Sequence, residues 1–80
     1  MTYPTLQHVS PLDDYRLALT FCGGEERVYD FKSNLGHKYY MNLRNQNLFK
    51  QVSVIDGELL WATGQDFCPH TLYERSTLLA

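Results

Sequence analysis

The sequence predicts an α+β domain: a small antiparallel sheet of two hairpins, with short helices in the middle and at the C-terminus. Three observations carry this expectation. Tyr15, Leu17, Leu19 and Phe21 recur at every second position, which is the period of a strand. Asp56-Gly57 sits between two runs rich in apolar residues, a strong short-range hairpin signal. Pro69 opens a stretch that has lost strand alternation, and proline suits the first position of a helix because its missing N–H costs nothing there.

Taken in order, Leu6–Ser10 alternates weakly and reads as a short edge strand stopped by Pro11. Residues 11–14, Pro-Leu-Asp-Asp, read as a turn. Residues 15–21 form the first clear strand, Gly23-Gly24 the tight turn, and residues 26–31 the return strand. A two-residue Gly-Gly loop sets Cys22 opposite Glu25, Leu19 opposite Val28 and Ala18 opposite Tyr29. In that register apolar residues fall on both faces, so both are expected to be covered at least in part. From Lys32 to Lys50 the alternation is lost. Leu35-Gly36 and Asn45-Gln46-Asn47 read as breaks, with one or two short helical turns between them carrying Tyr39, Tyr40, Met41 and Leu43. In the Asp56-Gly57 hairpin Val54 faces Leu59 and Val52 faces Trp61, four apolar side chains on one side. Thr63-Gly64 is a further turn. A helix is expected from Pro69 to about Ser76, with residues 78–80 extending it or fraying.

Eighty residues make a single domain, spanning 1–80, with one modest core. At 44% hydrophobic and net charge -2, the chain is not of disordered composition. No apolar run approaches the length of a membrane span, and the first residues lack a charged segment followed by an apolar one. A cytoplasmic protein is therefore expected, with Cys22 and Cys68 as free thiols. Charge is unevenly placed. Between Phe31 and Ile55 there is no Asp or Glu, while Lys32, Lys38, Arg44 and Lys50 lie there. That stretch is +4. The remaining three cations and nine acids sum to -6.

The string Trp61-x-x-Gly64-x-Asp66-x-x-Pro69-x-x-Leu72-Tyr73 is the most specific motif in the chain. Together with residues 11–17, Phe21, the Gly-Gly turn, Val28, Asp30, Leu43, Phe49 and Val52, it resembles the small bacterial family catalogued as domain of unknown function 2442. The resemblance spans Leu6 to Tyr73. Gly23 stands where that family commonly has a turn Asp or Asn, and His70 where it commonly has Asp. The resemblance implies an α+β fold with an antiparallel sheet and no established enzymatic activity. Some members are fused to a helix-turn-helix domain. Others are encoded beside a small partner, an arrangement similar to a toxin–antitoxin pair. A stand-alone module acting by protein contact is what it implies here.

The chemistry-bearing residues give no catalytic, cofactor or metal assignment. Cys68 and His70 form a single Cys-x-His, without the second ligand pair that a structural zinc needs. Cys68 stands before a helix start that can stabilise its thiolate, but a nucleophile also needs a base and an oxyanion site. Asp13-Asp14 and Glu25-Glu26 read as solvated turn residues, since sequence neighbours point apart in extended backbone. Asp66 reads as an acceptor for the backbone N–H groups of the following helix. Trp61 reads as core, opposite Val52. Of the adjacent Tyr39 and Tyr40, only one can be well buried, and the other is a candidate interface anchor. The expected function is a non-enzymatic protein-interaction module, antitoxin-like, contacting an unidentified protein partner through Lys38, Tyr39, Tyr40 and Arg44. The alternative is a nucleic-acid-binding accessory protein using the basic 31–55 region.

Overall fold

Alternation at residues 16–21 builds a strand that buries every second side chain, and in the computed structural model, which describes residues 4–78, Leu17, Leu19 and Phe21 are all buried. This strand, β2 (Arg16–Phe21), lies between β1 (Leu6–Leu12) and β3 (Glu26–Asp30). A two-residue strand, β7 (Thr77–Leu78), completes a four-stranded antiparallel sheet in the order β1-β2-β3-β7. The second hairpin forms a separate sheet: β4 (Val52–Ile55), β5 (Glu58–Trp61) and β6 (Asp66–Phe67), paired in that order. The α+β class expected from the sequence is present, with the two hairpins divided between two sheets.

The first hairpin closes one residue away from the expected register. Phe21 N–H donates to Glu25 O at 2.8 Å and Gly24 N–H to Phe21 O at 3.0 Å, so the loop is Cys22-Gly23-Gly24, three residues long. Ala18 then pairs with Val28, Leu19 with Arg27 and Leu17 with Tyr29. A one-residue slip exchanges the two faces of a strand. Here it places Tyr29 and, one step on, Phe31 on the same side as Leu17, Leu19 and Phe21, and all five are buried. The opposite face keeps Ala18 and Val28, both half-buried, between exposed Arg16, Glu26 and Asp30. Both faces are covered, as expected, but unequally: one is fully buried and the other only in part, at Ala18 and Val28.

Two further expectations change at the chain's ends. β1 continues through Pro11, which pairs with Leu17 on an edge strand, where a missing N–H is tolerated. The turn falls instead at Asp13–Tyr15, with Asp14 and Tyr15 at φ 64° and 59°. Beyond α2 (Pro69–Arg75) the chain neither extends the helix nor frays at 77–78: it becomes β7, paired with Arg27 and Val28. The expectation for residues 79 and 80 lies outside the described residues.

The Asp56-Gly57 hairpin has the expected register, Val52 with Trp61 and Val54 with Leu59. Both turn residues have positive φ, 52° and 79°, as a type I′ turn requires. Phe67 pairs with Leu59 and joins the same face. The middle segment folds as 3-10 turns at Lys32–Asn34 and Lys38–Arg44, then α1 (Gln46–Phe49). The Asn45 side chain, placed in an expected break, caps α1 by accepting the Asn47 N–H.

The buried faces of both sheets share one core. Phe31 is its hub, with ring centroids of Trp61, Tyr40, Phe67, Phe49 and Tyr29 between 5.0 and 6.1 Å away. Trp61, 3% exposed, donates its indole N–H to Phe49 O at 2.9 Å, so its one polar atom is satisfied inside.

Candidate functional site

The 3-10 segment Lys38–Arg44 carries all four residues expected to meet a partner. Its inward side is fixed by apolar packing. Leu43 is fully buried, and the Tyr40 ring stands edge-on to Phe31 at 5.2 Å. Polar bonds complete the attachment. Tyr40 OH donates to Asp66 O at 2.8 Å, and Arg44 Nε donates to Leu35 O at 3.1 Å. Tyr15 OH donates to Arg44 O, and Gln65 Nε2 donates to Tyr39 O at 3.2 Å. Tyr40 is thus the more buried of the tyrosine pair. Burial, followed by the nearby Tyr39 and Asp66 charges, raises its phenol above the usual range.

The outward side is different. Tyr39 is 55% exposed and Met41 44% exposed, two of the four exposed large apolar side chains among the described residues. Lys38 and Arg44 flank them, and neither forms an ion pair among the described residues. Tyr39 is oriented by a bond from its hydroxyl to Asp66 Oδ1, 3.1 Å long. Asp66 therefore serves the 3-10 segment through both backbone and carboxylate. It lies in β6, and Cys68 occupies the cap position of α2. The role expected for Asp66 at the helix start fails for that geometric reason.

The other cations of the acid-free stretch divide. Lys32 is held by Asp14 at 2.5 Å, with Asp30 at 3.8 Å, and so is not part of an unpaired strip. Lys50 is exposed. The solvated-turn reading also changes for Glu25. It accepts from Arg27 Nη1 at 2.6 Å and from Tyr73 OH at 3.1 Å. Arg27 further donates to Ser76 Oγ at 2.7 Å and Ser76 O at 2.8 Å, with its guanidinium 4.7 Å from the Tyr73 ring centre. This network fastens the end of α2 to β3, and the sequence carried no sign of it, since its bonded partners lie up to 49 residues apart.

Cys68 and Cys22 are exposed free thiols. Hydrogen bonds from Thr71, at the first turn of α2, lower the Cys68 thiol below its usual range. His70 lies 3.2 Å from Glu74 one helical turn on. Among the described residues no three of His, Cys, Asp and Glu gather where they could hold a metal ion. None of the helices among the described residues is long and apolar enough to cross a membrane.

Fold and surface together define a small two-sheet α+β domain in which the most exposed aromatic side chain among the described residues stands on a cationic 3-10 segment. Its membership is more specific. Residues 6–77 match the family model described as a protein of unknown function (DUF2442), and the chain belongs to that family. No curated protein and no solved structure matches it.

Proposed function

We propose that this chain is a bacterial, cytoplasmic, non-enzymatic interaction module, the antitoxin-like member of a two-protein pair. It meets an acidic surface of its partner through Lys38, Tyr39, Tyr40 and Arg44. The observation that carries this reading is the outward side of the 3-10 segment, where Tyr39 and Met41 are exposed between two cations that have no carboxylate partner among the described residues. Exposed aromatic and Met side chains fit an interface anchor, and the flanking cations fit a charged rim. Tyr40, half-buried, supports the anchor from beneath through its edge-on contact with Tyr39 at 4.8 Å.

The test uses the protein encoded beside this chain as the immobilised partner and reads association and dissociation separately. Rim charges act chiefly on association, so Lys38→Glu with Arg44→Glu is expected to slow it about tenfold and to flatten its salt dependence. Tyr39→Ala is expected to speed dissociation. Folded variants that bind like the parent overturn the reading. Nucleic acid is the second partner class. It has lost one supporting cation, because Lys32 is occupied by Asp14. Steeply salt-dependent binding to duplex DNA or RNA that falls in the same variants moves the assignment there.

A further inference from the structure

The open face of the four-stranded sheet carries a cleft that the proposed interface does not use. It lies where β2, β3 and β7 meet the end of α2 and the Lys32–Asn34 turn, and its volume is about 380 Å³. Arg16, Asp30, Ser33, Arg75 and Thr77 provide its polar lining, with Val28 and Tyr29 as the apolar part. Small-molecule sites span a range that begins at roughly this size.

The charges are arranged in an instructive way. Arg16 and Arg75 come from different elements and line the same cleft, yet neither forms an ion pair among the described residues. Arg16 Nε makes a long contact, 3.4 Å, with Asp13 O. The cleft's one carboxylate, Asp30, is already engaged: Oδ1 accepts the Lys32 N–H at 2.9 Å, and Oδ2 lies 3.8 Å from Lys32 Nζ. The Tyr29 hydroxyl is likewise spent on Asn34 at 2.7 Å. Two forked guanidiniums thus stand without a direct carboxylate partner among the described residues, beside two hydroxyl side chains, Ser33 and Thr77. Guanidinium forks match tetrahedral and planar oxyanions, and two of them match a dianion.

We propose that this cleft binds the phosphate monoester of a small molecule, its two negative charges held between Arg16 and Arg75. The proposal does not depend on the 3-10 interface. A nitrogen-15 NMR titration of the intact chain at fixed ionic strength tests it, with methyl phosphate, dimethyl phosphate and acetate as probes. Methyl phosphate is expected to give saturable shifts at Ser33 and Thr77, with a dissociation constant of about 1 mM. Dimethyl phosphate and acetate, each with a single charge, are expected to bind at least about fivefold more weakly. Arg16→Gln and Arg75→Gln should each weaken methyl phosphate about tenfold, and Lys38→Gln should not. Both arginines are exposed, so folding is expected to survive, and the unshifted remainder of each spectrum reports it. Arg75→Lys, which keeps the charge but not the fork, is expected to fall between parent and Arg75→Gln. Linear shifts without saturation to about 50 mM overturn the proposal, as do affinities indifferent to either arginine. An equal response to dimethyl phosphate overturns it as well, in favour of a polymer backbone.

Discussion

Hairpins β2–β3 and β4–β5 each turn on two consecutive residues of positive φ, yet the first loop has three residues and the second two. In β4–β5, Asp56 and Gly57 are themselves the loop, and Ile55 pairs with Glu58. In β2–β3, Gly23 and Gly24 are the second and third residues of a loop that begins at Cys22, and Phe21 bonds Glu25. Local turn chemistry allows a Gly-Gly dipeptide in either place. The core does not. Only the three-residue loop brings Tyr29 and Phe31 onto the face of Leu17, Leu19 and Phe21. Setting those two rings and their neighbours on the wrong face costs far more than any preference of the loop. Where turn and core agree, as at Asp56-Gly57, register follows from a few residues. Where the turn is indifferent, distant packing decides.

The largest expected effect checks that packing is the arbiter. Phe31→Ala should destabilise by about 3–5 kcal/mol through the cavity it leaves among five rings. Val28→Ala, on the half-open face of the same strand pair, should cost less than about 1 kcal/mol. Urea midpoints that rank the two equally would show that the face assignment is wrong. On the second hairpin, Trp61→Ala should match Phe31→Ala at about 3–5 kcal/mol, since the ring is buried. Trp61→Phe keeps most of the ring yet strands the Phe49 carbonyl, an added cost of about 1–3 kcal/mol.

The turns themselves come next. Gly24→Ala introduces a side chain at φ 87° into open space, at a cost of about 1 kcal/mol. Gly57→Ala has φ 79° and also sets its Cβ 3.1 Å from Thr5 Cγ2, so it should cost more, about 2 kcal/mol. The two-residue turn is thus expected to be the less tolerant of the pair. Equal melting temperatures for the two variants would remove the role given to Thr5.

The smallest effect belongs to the exposed Asp14–Lys32 pair beside the first hairpin. Its direct hydrogen bond to Lys32, reinforced by charge, holds the Asp14 carboxyl below its usual range. The same bond to Asp14 holds the Lys32 ammonium above its usual range. A depressed carboxyl stabilises the fold above its unfolded pKa and loses that contribution as pH falls through its folded one. A raised ammonium stabilises below its unfolded pKa and loses that as pH rises through its folded one. The pair therefore contributes across the neutral range and at neither extreme. Asp14→Asn should shift the urea midpoint slightly at about pH 7 and not at about pH 2. A shift of the same size at both values would assign the effect to the backbone of Asp14 instead.

These cases also show what a sequence discloses. The β4–β5 register was legible because Asp56-Gly57 dictates its own geometry within four residues. The buried Trp61 was legible because its partner Val52 lies across that same turn. Adjacent Tyr39 and Tyr40 implied one exposed ring, but which one depends on Phe31 and Asp66, each far off in the chain. β6 and β7 have two residues each, too short for any period to register. Asp66 was misplaced for the same reason. A lone acid before Pro69 suits a helix cap, and only the folded chain shows that a strand and two tyrosines claim it first.

The Arg27 network gives the molecule an order in time. The β2–β3 and β4–β5 turns close within a few residues, at small cost in chain entropy. Ser76 reaches Arg27 only across 49 residues, and its attachment needs β3 already in place to offer the guanidinium. The segment from Pro69 to Leu78 is therefore expected to dock last on folding and to detach first from the native state. In hydrogen exchange its amides, Leu72 and Ser76 among them, should exchange together as one cooperative unit, through an opening shallower than that which exposes Leu17 and Leu19. Cutting the guanidinium with Arg27→Met should lower that unit's protection while the amides of β2 and β4 keep theirs.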